Sequence, residues 1–227
     1  MSLFRRNRDK GDHEPDERTG DKVGKPAVSE PRAADPSEPQ PLARSGPLDF
    51  ESWDGEGRTI DFGAILVPAV EGMQIRVETD GDTVVAVGVM LHETAMQLQA
   101  FAAPRGEGIW DEVRQEIAEG IRGSRGKARE TDGPFGRELR ADVVVASPEG
   151  AAGRQPVRFI GVDGPRWFLR GLISGAGGAD PERAKAVEDV FERVVVRRGE
   201  HAAAPREQLP LQLPEDPGLV SEEPPGG

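Results

Sequence analysis

The chain has 227 residues, a formal net charge of −12 and no cysteine. The lack of thiols excludes disulfides, thiolate catalysis and cysteine-bound metals. The acidic balance disfavours nucleic acid and anionic membranes as partners, because both attract Lys and Arg. No apolar run reaches the roughly 20 residues that span a bilayer. The N-terminus, MSLFRRNRDKGD, lacks the apolar stretch of a signal peptide, so we expect a cytoplasmic protein.

Both ends of the chain are predicted to be disordered. Residues 1–46 are rich in Pro and in charged residues of both signs, and residues 215–227 are Pro-rich and acidic. Such segments bury too little apolar surface to offset the entropy lost on ordering. We expect one folded domain at 47–200. An extended Pro and Leu segment at 201–214 follows it, and either docks on the domain or stays free.

The first half of the domain predicts a meander of strands. Apolar residues in 48–70 mark the entry into the fold, and Gly and Pro keep any strand there short. Residues 73–78 and 94–102 alternate apolar and polar, which is typical of half-buried strands. The run 84–91 is almost wholly apolar. We expect it at the centre of a sheet, because both of its faces need cover.

The apolar period changes further along the chain. Residues 109–122 repeat apolar positions at helical spacing, which predicts an amphipathic helix lying on the sheet. A polar connector and a strand at 138–146 follow. A second helix is predicted to begin at Pro181, with Asp180 as its N-cap.

The densest apolar stretch lies between these helices and predicts a β-hairpin over residues 156–174. Asp163-Gly164 favours a tight turn between two extended runs. With these as the loop residues, Phe159 would lie opposite Phe168. The order strands, helix, strands, helix predicts an α+β domain. It would hold a mainly antiparallel β-sheet of about six to seven strands, with two amphipathic helices packed on it.

No group of residues in the sequence predicts catalysis. Of the three histidines, only His92 falls inside the predicted fold, and the chain has no tyrosine. General acid and base chemistry is thereby reduced to carboxylates and Lys. The run GIRGSRGKA at 120–128 lacks the spacing and the magnesium-binding hydroxyl of a phosphate-binding loop. We expect a non-enzymatic protein with no catalytic residue, no metal site and no cofactor.

Two groups of residues are candidates for ligand binding. The first is the aromatic and basic face of the hairpin: Phe159, Arg166, Phe168 and Arg170. Aromatics interleaved with arginines form base-stacking platforms, although the same pattern fits two aromatics under a helix with arginines at the rim. The second is the basic cluster after the first helix: Arg122, Arg125, Lys127 and Arg129. It is either an anion site or an exposed connector.

Four stretches of the chain resemble an actinobacterial family designated domain of unknown function 3710. The stretches are DFGAILVPAVEGMQIRVE, QLQAFAAPRGEGIWDEVRQEI, GVDGPRWFLRGLISG and FERVVVRRGEHAAAPREQLPLQLP. The resemblance covers roughly residues 48–214. It implies no reaction, ligand or catalytic residue.

These observations predict a protein-interaction module whose partner is an unknown protein, with a homo-oligomer as an open alternative. A second hypothesis is a nucleic-acid or nucleotide-binding protein that uses either candidate group, which the acidic net charge disfavours. A third is a carboxylate-based hydrolase. That hypothesis requires a deep pocket lined with paired acids.

Overall fold

A computed structural model describes residues 44–106, 108–146, 152–215 and 220–222. They fall in one structural unit, residues 41–227. Most of the two tails predicted from the sequence lies outside the described residues. The predicted α+β class is confirmed, since helices pack on a mainly antiparallel sheet. None of the described helices combines the length and apolar character needed to cross a membrane.

The described residues form twelve strands and three α-helices. The strands are β1 (Leu48–Asp49), β2 (Thr59–Asp61), β3 (Ile65–Pro68), β4 (Gln74–Asp80), β5 (Thr83–Leu91), β6 (Thr94–Ala102), β7 (Lys127–Gly133), β8 (Gly136–Ala146), β9 (Ala152–Gly164), β10 (Trp167–Gly175), β11 (Val195–Val196) and β12 (Val220–Glu222). The helices are α1 (Trp110–Gly123), α2 (Ala176–Ala179) and α3 (Pro181–Glu192).

A sheet of eight strands forms the centre of the domain. Its order is β12-β4-β5-β6-β10-β9-β8-β7, and every pair except β12 with β4 is antiparallel. Successive side chains of β6 point to opposite faces of the sheet. Met96 and Leu98 point into the main core with Phe191 of α3, whereas Phe101 points to the other face and packs with Trp110 of α1. The two long helices therefore cover opposite faces of the sheet.

A second sheet of four short strands, in the order β1-β11-β3-β2, contributes to the same core as α3. It was not predicted. Its strands have two to four residues each, which is too short to show a strand period. Its members also come from both ends of the domain, because β1 pairs with β11.

The predicted hairpin over residues 156–174 is present, but its predicted turn was wrong. The loop residues are Pro165 and Arg166, and Asp163-Gly164 belongs to β9. Arg166 has a φ of 65°. A Pro followed by a residue of positive φ is the pattern of a type II turn, whose second central position Gly usually occupies. Arg in that position gives no turn signal in the sequence.

Residues 206–212, here called the C-terminal segment, fill a gap between β5 and β6. These two strands pair only over part of their length. Beyond that part, the backbone N–H of Leu209 donates to the carbonyl of Ala100 at 2.9 Å. The side chain of Gln208 donates to the carbonyl of Val85 at 2.6 Å. Leu209 is 1% exposed, so the segment is part of the core.

Replacing Leu209 with Ala is expected to lower the free energy of unfolding by about 2–3 kcal/mol, because a buried leucine leaves a cavity behind. The matched control is Leu213→Ala. Leu213 follows the segment and is 48% exposed, so its truncation should change stability by less than about 0.5 kcal/mol. Urea unfolding followed by circular dichroism measures both. Equal effects of the two substitutions would show that the segment is not packed as described.

Candidate functional site

The aromatic residues of the hairpin lie under α1. Phe168 is 1% exposed, and its ring centroid lies 5.5 Å from that of Trp110 and 6.0 Å from that of Phe101. Phe159 is half-buried beside the same cluster. It lies opposite Leu172 and not opposite Phe168. The ring of Phe168 is therefore closed to a stacking nucleobase.

The two hairpin arginines are separated. Arg170 shares the face of the aromatics, places its guanidinium 5.4 Å from the ring centroid of Phe101 and donates to the side-chain oxygen of Gln99. Burial lowers the pKa of Arg170 from its ordinary value. Arg166 lies in the turn, where its carbonyl oxygen accepts from Nε of Arg198 at 3.1 Å. The predicted first group thus does not form one open surface.

Asp163 holds the start of α1. Its Oδ1 accepts from the backbone N–H of Ile109 at 2.8 Å, and its Oδ2 accepts from that of Trp110 at 3.2 Å. Ile109 is the residue at the N-cap and has no side-chain cap of its own. A carboxylate at a helix N-terminus satisfies free N–H groups. This contact could not be predicted from the sequence, because caps are usually supplied by the residues next to the helix.

The second predicted group is divided between a helix, a loop and a strand. Arg122 lies in the last turn of α1 and donates from Nη2 to the carbonyl of Ala128 at 3.2 Å. Arg125 lies in the following loop with a φ of 63°. Lys127 and Arg129 lie in β7, where a polar connector was expected. That expectation was wrong, and the strand places these two side chains on the same face of the sheet.

A groove of about 460 Å³ lies beside β7, between the end of the large sheet and α2. We call it the basic groove. It is lined by Lys127 and Arg129 of β7, Arg140 and Asp142 of β8, Pro156 of β9 and Gly178 of α2. A Cβ added to Gly178 would lie 2.3 Å from the carbonyl oxygen of Pro156. The close approach of α2 to β9 therefore requires glycine.

Three arginines lie side by side on this face of the sheet, from the groove inward to α3. Arg129 is opposite Arg140, and Arg140 is opposite Arg158, so the three side chains share one face. We call them the arginine row. The exposed side-chain fraction rises from 1% for Arg158 to 29% for Arg140, and Arg129 at the sheet edge is exposed. Like charges directly opposite each other repel, so the row requires anions.

Two buried glutamates compensate the inner end of the row. Arg158 Nη2 lies 2.6 Å from Glu138 Oε2 and 2.8 Å from Oε1 of Glu188, which α3 supplies. Arg140 donates from Nε to Glu138 Oε1 at 2.7 Å. Burial acts to lower the pKa of Arg158. The hydrogen bonds and charges of Glu138 and Glu188 outweigh it and hold that pKa above its ordinary value.

The outer end of the row lacks such compensation. Among the described residues, none forms an ion pair or hydrogen bond with the side chains of Lys127 or Arg129. Asp142 lies opposite Lys127 in the strand register without forming an ion pair with it. The groove can therefore accept an anion. At the inner end, the Nη1 atom of Arg158 is buried without a hydrogen-bond partner in the described part of the chain, but Arg158 does not line the groove.

A family model described as "Protein of unknown function (DUF3710)" matches residues 46–218. The chain belongs to this family. No curated protein matches it closely enough to count as a relative. The DUF3710 match contains the basic groove, the arginine row and the C-terminal segment, so all three lie within the part of the chain that defines the family.

Sequence reasoning found two of the groove cations, Lys127 and Arg129, and missed Arg140. In the DUF3710 domain, the register of three strands aligns Arg129 with Arg140 in the groove and with Arg158 behind it. A weak signal was present, because charged residues alternate with apolar ones from Glu138 to Asp142. That pattern indicates one charged face of a strand. It does not indicate which other charges share the face.

The described residues contain no group of three or more His, Asp or Glu side chains placed to hold an ion. His92 lies in the turn between β5 and β6 with a φ of 55°.

Proposed function

We propose that this DUF3710 domain is a protein-binding module that holds an acidic segment of its partner in the basic groove. The observation that carries the proposal is that Lys127 and Arg129, two neighbouring cations of the groove, are exposed and uncompensated within the described residues. A carboxylate there would do what Glu138 and Glu188 do at the inner end. Charge-assisted hydrogen bonds of this kind are among the strong ones.

The acidic net charge of the chain does not oppose an anionic ligand in this place. A ligand responds to the charges within about one Debye length, roughly 8–10 Å at physiological salt. Of the three cations in the groove lining, Arg140 is paired with Glu138 at 2.7 Å, which leaves Lys127 and Arg129 with one acid of the lining, Asp142. The surrounding acidity would instead repel long polyanions, which favours a short acidic segment. The proposal includes a cytoplasmic location.

A protein ligand fits the site better than the nucleic-acid alternative. Proteins that bind single-stranded nucleic acid combine a long basic track with aromatic rings that stack on bases. Here Phe168 is buried, and the uncompensated cations Lys127 and Arg129 form a short pair. The hydrolase alternative requires two carboxylates in one pocket. The groove lining offers one, Asp142.

The test is charge reversal in the full chain. The double substitution Lys127→Glu/Arg129→Glu is expected to weaken binding of a fluorescent hexaglutamate peptide by about tenfold or more, because two attractive contacts become repulsive. The control is Arg58→Glu/Arg105→Glu. These two arginines are exposed and lie outside the groove lining, so the control changes the net charge equally.

The result is measured by fluorescence anisotropy at low and at physiological salt. Equal weakening by both double variants would overturn the proposal, since it would show a response to net charge alone. A twelve-nucleotide thymidine oligomer serves as the competing ligand. If it bound more tightly than the peptide and lost binding only in the groove variant, nucleic acid would replace an acidic protein segment as the ligand.

A further inference from the structure

We propose that the partner segment adds to the large sheet as an extended strand along β7, with acidic side chains at every second position. This inference rests on the proposed function and goes beyond it by assigning the conformation and residue spacing of the ligand. Three observations support it: β7 lies at the edge of the sheet, its cations are two residues apart, and the charge on its opposite face is already paired.

No described part of the chain covers the outer edge of β7 as a strand. β7 is the last strand of the large sheet on the groove side, and no strand of the described residues pairs with its outer edge. An unpaired edge offers backbone N–H and C=O groups to an added strand. The contact of Arg122 with the carbonyl of Ala128, at 3.2 Å, is at the long end of hydrogen-bond distances, and backbone pairing would replace it.

The same sheet accepts extended segments elsewhere. β12 adds to β4 in parallel and covers the opposite edge. The C-terminal segment pairs with residues of β5 and β6 through isolated bridges, Val84 with Leu211 and Phe101 with Gln208. Two segments from the end of the chain therefore already bind this sheet by strand pairing. The β7 edge is the position where no such segment lies among the described residues.

The cations of β7 define the spacing of the ligand. Lys127 and Arg129 are two residues apart on one face, a separation of roughly 7 Å along a strand. Side chains directly opposite each other on paired strands have Cβ atoms about 4.5–5.5 Å apart. Acidic residues at positions i and i+2 of an added strand would therefore each face one cation. Acidic residues at i and i+1 would point to opposite faces.

The other face of β7 is already compensated. Glu130 points to the side of α1, where its Oε2 lies 3.0 Å from Nε of Arg114 and 3.7 Å from Nη2 of Arg137. Ala128 on the same face is half-buried and small. The intervening residues of the ligand would meet this face and need no charge. The spacing and the two faces together specify a segment that alternates acidic and uncharged residues.

The test uses two peptides of equal composition and charge. One alternates, acetyl-Ser-Glu-Val-Glu-Val-Ser-amide, and the other has its acids adjacent, acetyl-Ser-Val-Val-Glu-Glu-Ser-amide. Strand addition predicts that the full-length protein binds the alternating peptide about tenfold more tightly, because only that peptide faces both cations. Amide hydrogen exchange across residues 127–133 should slow when it binds, since the added strand pairs with that edge.

Backbone methylation gives a second readout. N-methylation of the two Glu residues and N-methylation of the two Val residues block opposite edges of the added strand. One isomer should lose binding and the other should keep it. Loss by both isomers, or by neither, would overturn strand addition.

The outcomes separate this inference from the proposed function. Equal affinity for both peptides, abolished by Lys127→Glu/Arg129→Glu, would overturn strand addition and leave the acidic-segment proposal in place. Binding of either peptide that this double variant does not change would overturn both. Light scattering supplies a further check. A dimer that the alternating peptide dissociates would show that a second copy of the chain occupies the edge, and would overturn assignment to a separate partner.

Discussion

Replacing Arg158 with Met is expected to lower the free energy of unfolding by about 3–5 kcal/mol, because the substitution leaves buried charge without its partner. Glu188 would lose its ion pair across the interface of α3 with β9, and Glu138 would keep Arg140 as its one partner among the described residues. Both glutamates are nearly inaccessible to water, at 4% and 1% exposed. Urea unfolding followed by circular dichroism measures the loss.

Two control variants test the cause of that loss. The triple variant Arg158→Met/Glu138→Leu/Glu188→Leu also removes the two buried glutamates. It should regain most of the lost stability, since apolar replacement of a whole buried ion cluster is often neutral or stabilising. Arg129→Met, at the exposed end of the same row, should change stability by less than about 0.5 kcal/mol. A loss below about 1 kcal/mol for Arg158→Met would contradict the described burial.

Replacing Trp110 with Ala is expected to lower the free energy of unfolding by about 3–5 kcal/mol, the range found for buried tryptophans. Trp110 is 5% exposed, stacks on Phe168 and donates from Nε1 to the carbonyl of Arg137 at 2.7 Å. It also lies directly over Gly161, where an added Cβ would come within 2.5 Å of the indole. The substitution removes both the packing and the hydrogen bond that fix α1 on the sheet.

The matched control is Trp53→Ala. Trp53 is half-buried and contacts Phe50 at a ring separation of 6.2 Å, so its loss should cost less than half as much. Unfolding is followed by circular dichroism, because both variants lose a fluorophore. Since α1 leads directly into β7, hydrogen exchange at residues 127–133 should rise in Trp110→Ala and stay unchanged in Trp53→Ala. Similar stabilities for the two variants would contradict the assigned role of Trp110.

Elements with a local period could be predicted from the sequence. Alternation in β4 and β6 and the helical spacing of α1 each reflect one face buried against the core. The start of α3 followed from the cap, and the structure shows Asp180 accepting from the backbone N–H of Glu182 at 3.0 Å. These signals are local, because the residues that carry them are neighbours in the chain.

Elements that depend on distant partners could not be predicted. β1 and β11 have two residues each and exist because they pair with each other across the whole length of the domain. β7, with the sequence KARETDG, shows no apolar alternation, because it is a polar edge strand. The turn at Pro165-Arg166 lacks the residue that usually marks a positive φ.

For the same reason, only part of the candidate site could be predicted from the sequence. Lys127 and Arg129 were identified as cations from the sequence, but their placement on a strand was not. Arg140 and Arg158 joined them through pairing across β7, β8 and β9. A register error of one residue would have placed either arginine on the face of α1. Only the folded sheet determines which charges meet.

The position of the C-terminal segment has a consequence for the order in which the chain folds. During synthesis, β5 and β6 emerge well before the C-terminal segment that lies between them. In the same way, β1 emerges long before its partner β11. Contacts of such long sequence separation form slowly. A nascent chain that has emerged to residue 200 therefore has an unfilled gap between β5 and β6. We expect chaperones to bind the exposed edges of this gap until the C-terminal segment fills it.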